Sequence, residues 1–274
     1  MRVLLAALLI SSAFASELTS PPPDLYAGWL RMYDLNFDEA HRTFERWKQT
    51  HPGDSLGPAS DAAAYLFSEL ARLGALESEL FTDDTQYQNR GKLYPDPHVR
   101  EAFDREINSA DRLADSTLQS AASDSNALFA KTLTRGLRAD FSALIDKQDL
   151  TALRYTKEGR VYADKLMAVE PNAYDAYLGA GIENYLLSLK PAPVRMLLRI
   201  TGAHVDRDKG VEQLKVAAQH GHYLEPFAKL MLAVAALRDN NQAWARQLLG
   251  DLHRRFPNNP LFLRELNRLT PPSK

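Results

Sequence analysis

Few side chains in this sequence have the type and spacing to do chemistry. His220-Gly221-His222, with His204 and Asp206 upstream, is the nearest approach to a metal cluster. An H-x-H pair suits zinc only when further carboxylate or imidazole ligands converge on it. Such a site would make the chain a metal-assisted hydrolase. The pair falls in a loop, however, where a turn is the competing reading. Asp83 and Asp84 lie in a polar stretch that lacks the alternating oxygen ligands, central glycine and closing glutamate of a calcium loop. Gly179-Ala180-Gly181 sits inside a helical pattern and follows no strand, so close helix packing accounts for it better than a dinucleotide loop does. HExxH, GxSxG and GxxxxGK[ST] do not occur in the sequence. The chain has no cysteine, which removes disulfides, thiol catalysis and thiolate metal ligation. The expectation is a protein with no catalytic residues, no bound metal and no cofactor.

The elements that would position these residues follow a repeated grid. Between Asn36 and Asp54, Ala40, Phe44, Trp47 and Pro52 stand at offsets 0, 4, 7 and 12. The grid returns as Gly159, Ala163, Leu166, Pro171 and as Ala245, Leu249, Leu252, Pro257. Looser copies run Gly210, Leu214, Ala217, His222 and Ala110, Ala114, Thr117, Ala122. Offsets 4 and 7 share one helical face, the small residue admits a neighbouring helix, and the proline ends the unit. This resembles the second helix of a tetratricopeptide (TPR) repeat. Tyr177, Ala180, Gly181 and Asn184 resemble its first helix, as does Gly28, which stands 12 residues before Ala40. The stretch Tyr174–Gly210 also resembles a pattern of secreted bacterial TPR-like proteins of unassigned function. It is carried by Tyr177-Leu178-Gly179-Ala180-Gly181, Tyr185–Leu189, Arg195 with Arg199, and Asp206–Gly210. The resemblance implies an all-α, right-handed α-solenoid of about five helix pairs over residues 24–270, closed by a capping helix at Pro260–Leu269. It implies no reaction.

Periodicity divides the chain accordingly. Helices are expected at Leu25–Tyr33, from Asn36 or Phe37 to Thr50, and at Ala59–Phe81, followed by a long aperiodic loop to Pro97. The next runs from about His98 to Ser120, and Ala40 to Ala110 is 70 residues, about twice a ~34-residue TPR period. Residues 59–122 therefore read as one enlarged repeat, with a decayed pair as the alternative. Ser125 or Asn126 should cap a helix lined by Phe129, Leu133, Leu137 and Phe141, with Gln148–Val169 as its partner. From Gly181 to Gly210 the chain runs 29 residues where the grid allows 12. The insertion should hold a short helix, Val194–Thr201, before Asp206 or Asp208 starts the delayed partner. Helices at Phe227–Leu237 and Ala243–Phe256 make the last pair.

In the TPR arrangement the first helix of each pair lines the inner groove, which defines a candidate binding surface. Trp29, Met32 and Tyr33 from the first pair, with Asp175, Leu178, Ile182, Tyr185 and Leu186 from the fourth, occupy that stripe. Water-facing aromatics in a concavity suit peptide recognition. Arg195 and Arg199 stand one turn apart on the inserted helix and would border the groove, meeting an acidic or polar group. Two other readings stay open: an amphipathic patch on a membrane surface, or plain packing of the insertion. Enlarged repeats could also fill their own groove.

The start of the sequence reads as a secretory signal. Arg2, the apolar run Val3–Ile10 and Ala13-Phe14-Ala15 form the three regions of such a peptide, cut after Ala15. Residues 16–23 follow as a proline-rich leader. The apolar run is too short for a span of ~20 residues, so the mature chain should have no transmembrane segment and reside in a bacterial periplasm. A formal net charge of −2 argues against a nucleic-acid partner. The leading expectation is a scaffold for a protein or peptide of the cell envelope. A module holding a small apolar or sugar ligand beneath residues 188–208 is the alternative.

Overall fold

The computed structural model describes Leu18, residues 20–75, 91–189, Met196 and residues 205–269. Among them are eleven α-helices and no strand. They are α1 Pro23–Tyr33, α2 Phe37–Thr50, α3 Leu56–Arg72, α4 Pro97–Ser120, α5 Ser125–Asp140 and α6 Asp149–Val169. The rest are α7 Ala176–Ser188, α8 Arg207–His220, α9 Glu225–Arg238, α10 Gln242–Arg255 and α11 Pro260–Leu269. A π-helical turn, Phe141–Ile145, continues α5. The protein is all-α, and no helix of the described residues is long and apolar enough to cross a membrane. The expected signal segment 1–15, the expected short helix with Arg195 and Arg199, and His204 lie outside the described residues; Met196 alone of that stretch is described, and it is exposed.

Local chemistry sets the helix starts. Pro23 and Pro97 occupy first-turn positions, where a missing N–H costs nothing. Asp96, Asp206 and Asn241 accept from the backbone N–H of His98, Lys209 and Trp244. At α5 the cap is Asp124, accepting from Ala127 N at 2.8 Å, rather than Ser125 or Asn126. Turns of the same design recur far apart. In the α1–α2 turn, Asp34, Leu35 and Asn36 donate to the carbonyls of Leu30, Met32 and Arg31. In the α9–α10 turn, Asp239, Asn240 and Asn241 donate to those of Ala235, Leu237 and Ala236, and Leu35 and Asn240 both take positive φ.

Helices adjacent in sequence pack together, and the first members of successive pairs also meet, α1 on α3, α3 on α5 and α5 on α7. The grid positions are the contacts. Ala40, Phe44, Ala110, Ala114, Ala163, Leu166, Leu214, Ala217, Ala245 and Leu249 are all buried. At Gly181 an added Cβ would lie 2.9 Å from Leu214 Cγ, and at Gly210 2.6 Å from the Tyr185 backbone nitrogen. Those glycines let α7 and α8 approach as closely as they do. Charged residues join α2, α3 and α4: Lys48 Nζ donates to Asp61 at 2.7 Å and Glu106 at 2.9 Å.

The first and last pairs are also joined. Tyr33 Oη donates to the carbonyl of Tyr223 at 2.9 Å, and Asn259 Nδ2 to the carbonyl of Tyr33 at 2.9 Å. Asn258 bonds the Asp34 carboxylate, and Arg255 donates to the Tyr26 hydroxyl. Rings follow the same route. Trp29 meets Tyr223, Tyr33 meets Phe67 and Phe256, and Phe67 meets Phe227, all with centroids within 6.3 Å. Aromatic side chains thus fill the space where the first and last helix pairs meet.

Candidate functional site

The concave aromatic packing leaves a cavity of about 140 Å³. Trp29 and Tyr33 (α1), Phe67 (α3), Leu137 (α5), Leu178 and Ile182 (α7) and Phe227 (α9) give it mostly apolar walls. Thr132, Gly136 and Asp140 from α5, Thr156 and Arg160 from α6, and Gly179 from α7 add polar atoms and open space. Each helix arrives there because its outward faces are polar and its apolar stripe must pack inward.

The structure brings five of the expected groove residues to this cavity: Trp29, Tyr33, Asp175, Leu178 and Ile182. It does not leave the aromatics facing water. Trp29 is 1% exposed with its indole N–H on Ser60 Oγ at 2.9 Å, and Tyr185 is fully buried against α8. Met32 is likewise core. The expected open trough is corrected to a filled one, because contacts between the first and last pairs cover the stripe. Leu186 does face solvent. Arg195 and Arg199 lie outside the described residues.

Asp175 has an architectural task. Its carboxylate accepts from the backbone N–H groups of His222 (3.0 Å), Tyr223 (3.2 Å) and Leu224 (2.9 Å), pinning the loop that carries Tyr223 into the core. Burial pushes its pKa up to about 6 against the opposing pull of those three donors. The Tyr33 hydroxyl titrates well above its usual range, first through burial and then through the nearby Asp175 and Glu225 carboxylates. His220 stacks obliquely on Tyr174, ring centroids 5.0 Å apart. Among the described residues no group of three His, Asp or Glu side chains could hold a metal ion.

Asp140 was not legible as a site residue, yet it is the distinctive group of the cavity. It ends α5 just where the helix widens into the π turn, a type of distortion frequent at functional sites. No hydrogen bond or ion pair among the described residues engages its carboxyl. Burial alone raises its pKa to about 7. Arg160, the cation on the same wall, is engaged elsewhere: Nε donates to Asp164 at 2.7 Å and Nη1 to Glu183 at 3.3 Å. The Thr132 and Thr156 hydroxyls donate to the carbonyls of Leu128 and Ala152 one turn earlier. A Cβ on Gly136 or Gly179 would meet nothing within 4 Å, so neither glycine is demanded by packing. The arrangement offers a shaped apolar space with hydrogen-bond acceptors on its wall. Compared with known families, curated proteins and solved structures, the chain has no match.

Proposed function

We propose that the chain is an exported, TPR-like α-solenoid that binds without catalysing, and that it holds a small organic ligand in the cavity ringed by the first helices of its pairs. The TPR part of the reading is supported by the buried grid positions in five helices and by the matching turns after α1 and α9. Export is supported by the order of basic, apolar and small residues over 1–15.

The cavity carries the ligand reading. At about 140 Å³ it matches apolar cavities of about 150 Å³ that take up a single benzene ring. That is room for a small molecule or one side chain, not for a length of peptide. Trp29, Tyr33 and Tyr223 occupy the course that an extended peptide would need. A protein partner is the second reading, favoured by the exposure of Gly136 and Gly179 at the cavity wall, through which one anchoring side chain could enter.

Native mass spectrometry of the protein isolated from its own cells tests this. A small-molecule adduct on the wild type, absent from Gly179→Leu, is the expected result. A protein partner held equally by both forms, with no small adduct, would return the chain to the scaffold reading. An intact Met1 on the isolated protein would end the export proposal.

A further inference from the structure

The cavity's polar groups specify more than size. We infer that the ligand is a small organic cation, an amine on an apolar body, whose ammonium group pairs with the Asp140 carboxylate. This rests on the small-ligand reading above and adds its chemical class.

The donors and acceptors left on the wall set this class. Thr132 and Thr156 have their hydroxyl protons committed to backbone carbonyls, so they present lone pairs inward. Arg160 is paired with Asp164 and Glu183, and Asp175 accepts from the 222–224 loop. Tyr33, the remaining titratable wall group, donates to the Tyr223 carbonyl. Among the described wall residues only Asp140 is left without a partner, and α3, α9 and the residue that precedes α9 contribute no charge there, only Ala63, Phe67, Phe227 and Leu224. A wall of acceptors around one unpaired carboxyl complements a ligand rich in donors and positive charge. Among the described residues an anion would meet a carboxylate with no compensating cation, and a neutral hydrocarbon would leave the carboxyl unpaired beside it.

Two further observations fit. Gly136 and Gly179 stand in helix interiors, where glycine costs about 1 kcal/mol relative to alanine, yet a Cβ there would touch nothing. Their absent side chains keep the space beside Asp140 open. Burial also holds the Asp140 carboxyl near pKa 7, so a cation must drive off a proton to bind in mild acid. Affinity for an amine should therefore be about thirty-fold weaker at pH 5.5 than at pH 8, by proton competition at a pKa of about 7.

The test compares benzylamine with its neutral isostere benzyl alcohol by isothermal titration calorimetry on the full mature chain. The wild type should bind the amine at least about ten-fold tighter at pH 8. Asp140→Asn should remove that preference and the pH dependence while keeping the alcohol. Gly179→Leu should abolish both. If the alcohol binds as well as the amine and Asp140→Asn changes neither, the cation is ruled out while the small-ligand reading stands. If neither probe binds the wild type, or Gly179→Leu binds both unchanged, the cavity is not a ligand site and both readings fall. Thermal melts of each variant separate loss of binding from loss of fold.

Discussion

A carboxyl that loses hydration without gaining a partner favours its protonated form, and the two raised aspartates of the cavity, Asp175 buried and Asp140 half-buried, resolve this differently. Asp175 is buried but holds three backbone donors; Asp140 holds none. Asp175→Ala should strand the His222, Tyr223 and Leu224 N–H groups and cost roughly 3 kcal/mol or more in a urea melt. A loss under about 1 kcal/mol would show the loop is positioned by other means. For Asp140 the sign runs the other way. Its folded pKa of about 7 lies above the unfolded value of 3.8, so the folded chain binds the extra proton between those limits. Stability from this group is present at low pH and is lost as pH rises through 7. Asp140→Asn should therefore melt higher than the wild type at pH 8, with the gap closing by pH 4.5. A gap independent of pH would remove the carboxyl as its cause. Nothing in the local sequence, Arg138-Ala139-Asp140-Phe141, distinguishes this aspartate from one at any solvated helix end. Its role depends on α6, α7 and α9 meeting around it.

At the scale of elements, the sequence was most informative where a contact depends on residue size. Ala40, Phe44, Gly159, Ala163, Leu166, Ala245 and Leu249 lie in register with the helical repeat, and all are buried. Close approach leaves a local signature because only a small residue permits it. Gly210→Ala should force α7 from α8 and cost about 1–3 kcal/mol, whereas Gly136→Ala should stabilise α5 by up to ~1 kcal/mol. Equal effects from the two would refute the packing argument, and denaturant melts decide it. The π turn after α5 has no such signature, since it changes hydrogen-bond register and not residue type. The ionic junction of α2, α3 and α4 was equally hidden. Lys48, Asp61 and Glu106 each look like ordinary surface charges in their own helices. Contact with Asp61 and Glu106 raises the Lys48 pKa despite the burial that opposes it. Lys48→Met would leave two enclosed carboxylates facing each other, at a cost of about 3 kcal/mol. Arg42→Ala, which removes only an exposed pair with Glu39, should leave the melt essentially unchanged.

For the whole molecule, the decisive feature is the junction between its two ends. A stripe such as Trp29, Met32 and Tyr33 reads as apolar in sequence whether it meets water, a ligand or another part of the chain. The distinction depends on how the helix pairs are placed relative to one another, which is set by no single residue. In an open solenoid each repeat contacts only its neighbours, so end repeats can fray independently. Here Tyr33 bonds Tyr223 across 190 positions, and Asn259 bonds Tyr33 across 226. Those links should make α1 and α9–α11 open together. Native-state hydrogen exchange on the wild type should give α1 and α9 amides similar opening free energies, near the global value. Asn259→Ala removes one donor at the junction and should lower both sets together, while amides of α4, which lies away from the junction, change less. If α1 exchanges well before α9 in the wild type, the contacts between the first and last helix pairs do not couple them. The concave cavity would then be open to widening, and a ligand larger than one ring could enter it.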